Sequence, residues 1–249
     1  MRRKQTARLI LLVTLVVTIG GATLSSPATG APALSDQRAN QAVKALIRSD
    51  LIRSEIVTFN SGEVGDYRVD RGVVQKIRGR LLTLAERDGS NVSIKLSSTT
   101  QIRIDGRRGT AVRVRRGMRA TVITTGNVTV SWLYLAWRLP DRSLPKVKAL
   151  LSPGFVRAEV VSWTGGMVLD SRADTGIIES VDDVSLTLQE NDGASWPTQF
   201  DTALAVWLNN RVSSATDLAA GMRVTAIGNG DGLINQVWAY GKKLNVGKR

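Results

Sequence analysis

The chain has neither cysteine nor histidine among its 249 residues. Without cysteine there is no disulfide framework, no thiol nucleophile and no thiolate metal site. Without histidine the usual general base near neutral pH and the commonest metal ligand are missing. Together the two absences exclude a Ser-His-Asp triad, a Cys-His dyad and a histidine zinc site. Carboxylate pairs, Ser-Lys arrangements and carboxylate calcium sites survive that exclusion, but no loop of alternating acids ending in glutamate is present.

What is present is basic and well supplied with apolar side chains. Apolar residues make up 43%, enough to build real cores in one or two domains, so a folded chain is expected. The formal charge of +13 favours acidic partners such as nucleic acid, anionic lipid or wall polymers, without choosing among them.

The start of the chain, MRRKQTARLILLVTLVVTIGGATLSSPATGAPALS, has the three parts of an export signal. Arg2, Arg3, Lys4 and Arg8 are the positive region, and Leu9 to Ile19 is apolar apart from threonine. Small residues follow, with Ala28-Thr29-Gly30 or Ala31-Pro32-Ala33 as cleavage sites. The competing reading is an uncleaved anchor, but the apolar stretch falls short of the ~20 residues that a spanning helix needs. No cysteine follows it, which excludes a lipoprotein. The expectation is a signal peptide over residues 1–33 and a mature protein that is secreted or held in the cell envelope, away from genomic nucleic acid.

The chain repeats itself at an offset of 104 residues. VKALIRSDLIRSEIVTFNSGEVGDYRVDRGVV (43–74) lies over VKALLSPGFVRAEVVSWTGGMVLDSRADTGII (147–178), and GMRATVITTG (117–126) over GMRVTAIGNG (221–230). Residues 43–137 and 147–241 share 27 identities in 95 gapless positions. That is duplication. Runs of β-branched and aromatic residues bounded by turn residues predict strands throughout each copy. Asp88-Gly89 and Asp192-Gly193 predict tight turns, and SSATDLAAG predicts a short helical turn capped by Ser213 or Ser214. The predicted fold is all-β, a small barrel per copy. A short segment precedes the first copy at 34–42, helical if Ser35 caps it. Residues 138–146, RLPDRSLPK, read as a linker because of their two prolines, and 242–249 as a basic tail.

The pattern of a glycine and two aliphatics, LTL-x-x-x-DG, a helical turn and GMR-hydrophobic-T resembles a family of bacterial exported domains of unknown function. The resemblance covers both copies and implies tandem OB-like β-barrels. Its motifs are turn and core positions, so it carries over no catalytic residue and no cofactor.

Within GRRGTAVRVRRGMRATV (106–122), six arginines occur with no acid. The repeat serves as an internal control. Arg107 and Arg119 recur as Arg211 and Arg223 and are assigned to the fold, whereas Arg108, Arg113, Arg115 and Arg116 stand opposite Val212, Asp217, Ala219 and Ala220. These four, with Arg103, are the candidate anion-binding residues. Copy one carries 17 basic against 8 acidic residues and copy two 5 against 11, so their charges are +9 and −6. Three readings follow: an anionic envelope polymer or lipid headgroup held by copy one, attraction of opposite charges that docks the copies on each other or drives self-association, or undirected drift of surface charge. Nucleic acid is not the expected partner, because copy one interleaves few aromatics (Phe59, Tyr67, Trp132, Tyr134 and Trp137) with its basic residues.

Alternation places Trp207, flanked by Val206 and Leu208, on the outer face with Arg103, as a candidate exposed aromatic or as part of a domain interface. Trp163 and Trp238 align with Phe59 and Tyr134 and are expected in the core. Shared acids are Glu55/Glu159, Asp66/Asp170, Asp70/Asp174, Glu86/Glu190 and Asp88/Asp192. The spacing in Arg53-x-Glu55 and Arg157-x-Glu159 predicts an ion pair along one strand face. A carboxylate-based hydrolase needs two acids across a cleft. It is the third functional reading, after a non-catalytic binding protein and a self-associating structural protein, none of which uses a cofactor or metal.

Overall fold

In the computed structural model, which describes residues 34–126, 129–137, 143–152, 154–230 and 232–241, each copy opens with an apolar residue at every fourth position, and this folds as a helix. Helix α1 (Leu34–Leu46) buries Ala39 and Val43, with Ile47 just beyond its end. It starts one residue ahead of Ser35. Helix α2 (Leu144–Leu150) buries Val147, with Leu151 following. The stretch expected to be a linker is therefore helical from Leu144, because Pro145 falls in the first turn, where its missing N–H is not needed. The signal peptide (1–33), the linker residues 138–142 and the tail (242–249) lie outside the described residues.

The protein is all-β. Copy one contributes β1 (Leu51–Asn60), β2 (Glu63–Arg78), β3 (Leu81–Glu86), β4 (Asn91–Lys95), β5 (Gln101–Ile104), β6 (Arg107–Arg108), β7 (Arg119–Thr125) and β8 (Thr129–Ala136). Copy two contributes β9 (Phe155–Thr164), β10 (Met167–Val181), β11 (Ser185–Glu190), β12 (Ser195–Leu208), β13 (Arg211–Ser213), β14 (Arg223–Gly228) and β15 (Ile234–Tyr240). The expected turns are present: Gly89 and Gly193 have φ of 87° and 90°, and the Asp88 and Asp192 carboxylates accept the N–H groups of Ser90 and Ala194. Ser214 caps a single 3-10 turn, Ala215–Asp217, through a reciprocal capping box with Asp217.

In copy two the ladders run in a circuit. β10 pairs with β11, β11 with β12, β12 in parallel with β15, β15 with β14, and β14 returns to β10. Copy one follows the same path, except that the strand matching β12 is divided into β4 and β5. At the division, Thr100 Oγ1 accepts the N–H of Ser97 and Ser97 Oγ that of Thr99. These side chains offer the backbone an alternative to the ladder. Val74, Leu84, Val122 and Leu133 fill the first circuit, and Ile178, Leu188, Val224 and Val237 the second.

The long strands β2 and β10 change partners at a glycine. A Cβ on Gly72 would lie 2.3 Å from the Ala85 carbonyl oxygen, and one on Gly176 equally close to that of Gln189. The close approach of two backbones explains why glycine stands at both positions. Gly176→Ala is expected to cost about 1–3 kcal/mol, as overpacking does, measured as a lower urea midpoint at unchanged slope.

The copies join through β1 and β9, which pair antiparallel with Glu55 opposite Glu159. These are the same position of each copy, so an approximate two-fold axis passes between them, and all fifteen strands belong to one sheet. Beneath the junction Ile47, Ile56, Val69, Val147, Leu151 and Val160 form a core shared by both copies and both helices. The copies are thus held by a backbone ladder and apolar burial, with two like charges at the centre of the ladder. Among the described residues, no helix is long and apolar enough to cross a membrane.

Candidate functional site

The arginine run occupies the hairpin of β5 and β6 and the turn before β7. Asp105 and Gly106, with φ of 49° and 81°, reverse the chain and set Arg103 opposite Arg108 and Ile104 opposite Arg107. Ile102 and Ile104 pack into the core of copy one, so Arg103 points the other way, beside Tyr134 of β8. Burial holds the Tyr134 phenol above its ordinary pKa, against the pull of the Arg103 charge. In the next turn Val114 and Met118 are buried, and this turns Arg113, Arg115 and Arg116 to solvent.

All five candidates are exposed. Arg103, Arg108, Arg113 and Arg116 make no ion pair and no side-chain hydrogen bond with any described residue. Arg115 differs: its Nη1 donates to the Val112 and Val114 carbonyls, so part of its role is to hold the turn. Arg107 and Arg119, assigned to the fold because copy two shares them, are exposed and equally without ion pairs to described residues. The surface therefore gathers cations that form no ion pair with a described residue, Asp105 at the hairpin tip being the acid among them, and their excess raises the local positive potential.

Trp137, counted in the sequence among the few aromatics of copy one but not among its site residues, joins this surface. Trp137 is 53% exposed. Its backbone N–H donates to Asp105 Oδ1 at 3.2 Å, and its ring lies beside Gly117, where a Cβ would be 3.7 Å from Cζ3. The available signal was the alignment of Trp137 with Gly241, an aromatic that the scaffold does not require.

Trp207 is not the exposed platform expected as one alternative. It does face outward from its own circuit, since Val206 and Leu208 pack inward. It is half-buried, however, stacked on Trp238 at 4.6 Å and packed against the core shared by the copies. The domain-interface alternative describes it. Trp238 is buried as expected, but Trp163 is only half-buried, with the Arg87 guanidinium 5.7 Å over its ring.

Four of the five pairs of shared acids meet arginines, across strands or two residues along one strand, while Asp66 and Asp170 make no ion pair with a described residue. Arg53 donates to Glu86 at 2.7 Å and to Asp88 at 2.9 Å, and in copy two Arg157 binds Glu190 and Asp192. Arg68 grips Asp70 and Arg172 grips Asp174, each at 2.9 Å, with Glu55 and Glu159 farther out at 3.9 and 3.7 Å. The predicted pairs Arg53–Glu55 and Arg157–Glu159 share a face but do not bond. Spacing is not the reason, since Arg68–Asp70 and Arg172–Asp174 on the neighbouring strands are also two residues apart and do bond; Arg53 and Arg157 are taken instead by the acids of β3, β11 and the turns that follow them. Burial pushes the Asp174 carboxyl up to about 8, Arg172 opposing and the neighbouring Glu190 adding to the rise.

No acid lines the cavity of about 400 Å³ beside α1, whose walls include Ala42, Leu46, Arg48, Ser162 and Gln236. Among the described residues no group of three or more acids is placed to hold a metal ion. Compared with known proteins, the chain matches no family model and no curated sequence.

Proposed function

We propose that the protein is a non-catalytic, exported binding protein of the cell envelope, two OB-like barrels in tandem of which the first holds an anionic polymer on its arginine surface. One observation carries this reading. Arg103, Arg108, Arg113 and Arg116 are exposed and make no ion pair with a described residue, and at the matching places copy two has Trp207, Val212, Asp217 and Ala220. The same scaffold is therefore built without these cations. The basic, then apolar, N-terminal stretch supports export, and envelope polymers are the anions met there. Of the acids common to both copies, all but Asp66 and Asp170 are engaged by arginines of the sheet, which supports a structural role for them over hydrolysis.

The test is cosedimentation of the protein with purified envelope from its source organism across a salt series. Wild-type binding is expected to weaken steadily with salt, as polyelectrolyte contacts do. R108S/R113S/R116S is expected to lose at least about tenfold in affinity while keeping its circular dichroism and urea midpoint. Arg115 is left in place because it holds the turn. Equal binding by the substituted protein would remove this assignment.

A further inference from the structure

We infer that the polymer is an acidic polysaccharide, its sugar rings stacking on Trp137 while its anions meet the flanking arginines; this rests on the reading above. The ring and the cations are parts of one surface. Asp105, at the tip of the hairpin that presents Arg103 and Arg108, accepts the Trp137 N–H, and the indole lies beside Gly117, next to Arg116. Copy two shows which of these features belong to the scaffold. There Asn209 holds Gly241 in the same manner, its Oδ1 accepting the Gly241 N–H at 3.3 Å and its Nδ2 donating to the Gly241 carbonyl at 2.9 Å. The clamp is common to both copies and works without a ring. The indole, like the four arginines, is added to copy one alone.

A tryptophan left 53% exposed keeps apolar surface in water, where it gains nothing for the fold. With its main chain fixed, it offers a rigid flat face with little ordering entropy left to lose on binding. The apolar C–H face of a pyranose fits such a platform, and carboxylates or phosphates on the same polymer fit the guanidiniums. A polyphosphate or a lipid headgroup cluster would use the arginines and leave the indole idle.

The experiment compares the wild type, W137A and R108S/R113S/R116S on two polyanions at matched charge and salt: polygalacturonate, which has rings, and polyphosphate, which has none. Oligothymidylate is the third probe. Expected is about a tenfold loss of polygalacturonate affinity in W137A, the scale of one stacked ring, with polyphosphate affinity unchanged and W137F recovering part of the loss. The arginine variant loses both. Equal losses of W137A on both polyanions, or none on either, would overturn the role of the ring. A larger loss on oligothymidylate than on polygalacturonate would reassign the surface to single-stranded nucleic acid. An arginine variant that binds polyphosphate like wild type would instead remove the underlying anion-binding reading.

Discussion

Arg172→Met is expected to lower stability at pH 8 by about 3–5 kcal/mol, the usual cost of removing one partner from a buried ionic cluster. Arg172 has only 14% of its side chain exposed. Its Nε and Nη2 bond Asp174 at 2.9–3.0 Å, its Nη2 lies 3.8 Å from Glu190, and its guanidinium covers the Trp196 ring at 4.4 Å. Asp174 and Glu190 expose 0% and 1% of their side chains, so water cannot replace the lost donor. Methionine restores volume but no charge. The cost should shrink at pH 5, where Asp174 holds a proton. It should also shrink by more than half in R172M/D174N, where the stranded charge is removed with its partner. The counterpart R68M is expected to cost less, because Arg68 is 46% exposed. Urea midpoints at both pH values measure all of these. A loss in R172M no larger than that in R68M would show that burial does not set the energetics of the cluster.

Most of the fold was legible because its markers are local. The Asp-Gly turns and the serine cap each depend on a few adjacent residues, and each appears where the sequence places it. What was not legible depends on pairing between distant segments. The docking of the copies looked electrostatic from their charges of +9 and −6. The ladder instead sets Glu55 against Glu159 above a shared apolar core. No single-strand pattern reveals that β1 and β9, each with its own partner in its own copy, also pair with each other. The expected Arg53–Glu55 and Arg157–Glu159 pairs failed for the same reason: the better acceptors, Glu86, Asp88, Glu190 and Asp192, arrive from 33 and 35 residues away.

The candidate site was legible in its cations and not in its ring. Comparing the copies singled out Arg108, Arg113, Arg115 and Arg116, and β-alternation added Arg103, all five of them exposed. Alternation also gave the outward direction of Trp207, but direction is not exposure: the core shared by the copies and Trp238 cover that face. Trp137 escaped because it follows the last strand of its copy, where no periodicity applies, and its position is fixed by a hydrogen bond to Asp105, 32 residues earlier.

The second large effect expected is a loss of stability on raising the pH from about 4 to 8. The buried cluster of copy two brings Arg157 from β9, Arg172 from β10, and Asp174, Glu190 and Asp192 from β10, β11 and the turn after it, with Glu159 half-exposed at the rim. Three carboxylates with little exposed side chain face two guanidiniums, and one proton on Asp174 restores the balance. Burial first, then the nearby Glu190 charge, raise the Asp174 carboxyl from its ordinary 3.8 to about 8, with Arg172 pulling the other way. Between these values the folded protein holds a proton that the unfolded chain releases. The contribution of this group is therefore fully present below about pH 4 and is lost as pH rises through about 8. The slope is at most about 1.4 kcal/mol per pH unit, on the order of 4 kcal/mol between pH 5 and 8. D174N separates this cause from other titrations. Its amide oxygen can accept from Arg172 and its amide nitrogen can donate to Glu190, as the protonated acid does at every pH in the range. The variant should match wild type at pH 5, exceed it at pH 8 and show a flattened stability profile. An unchanged slope in D174N would place the titrating proton elsewhere, and the three-to-two count in this cluster would not be what sets the pH dependence.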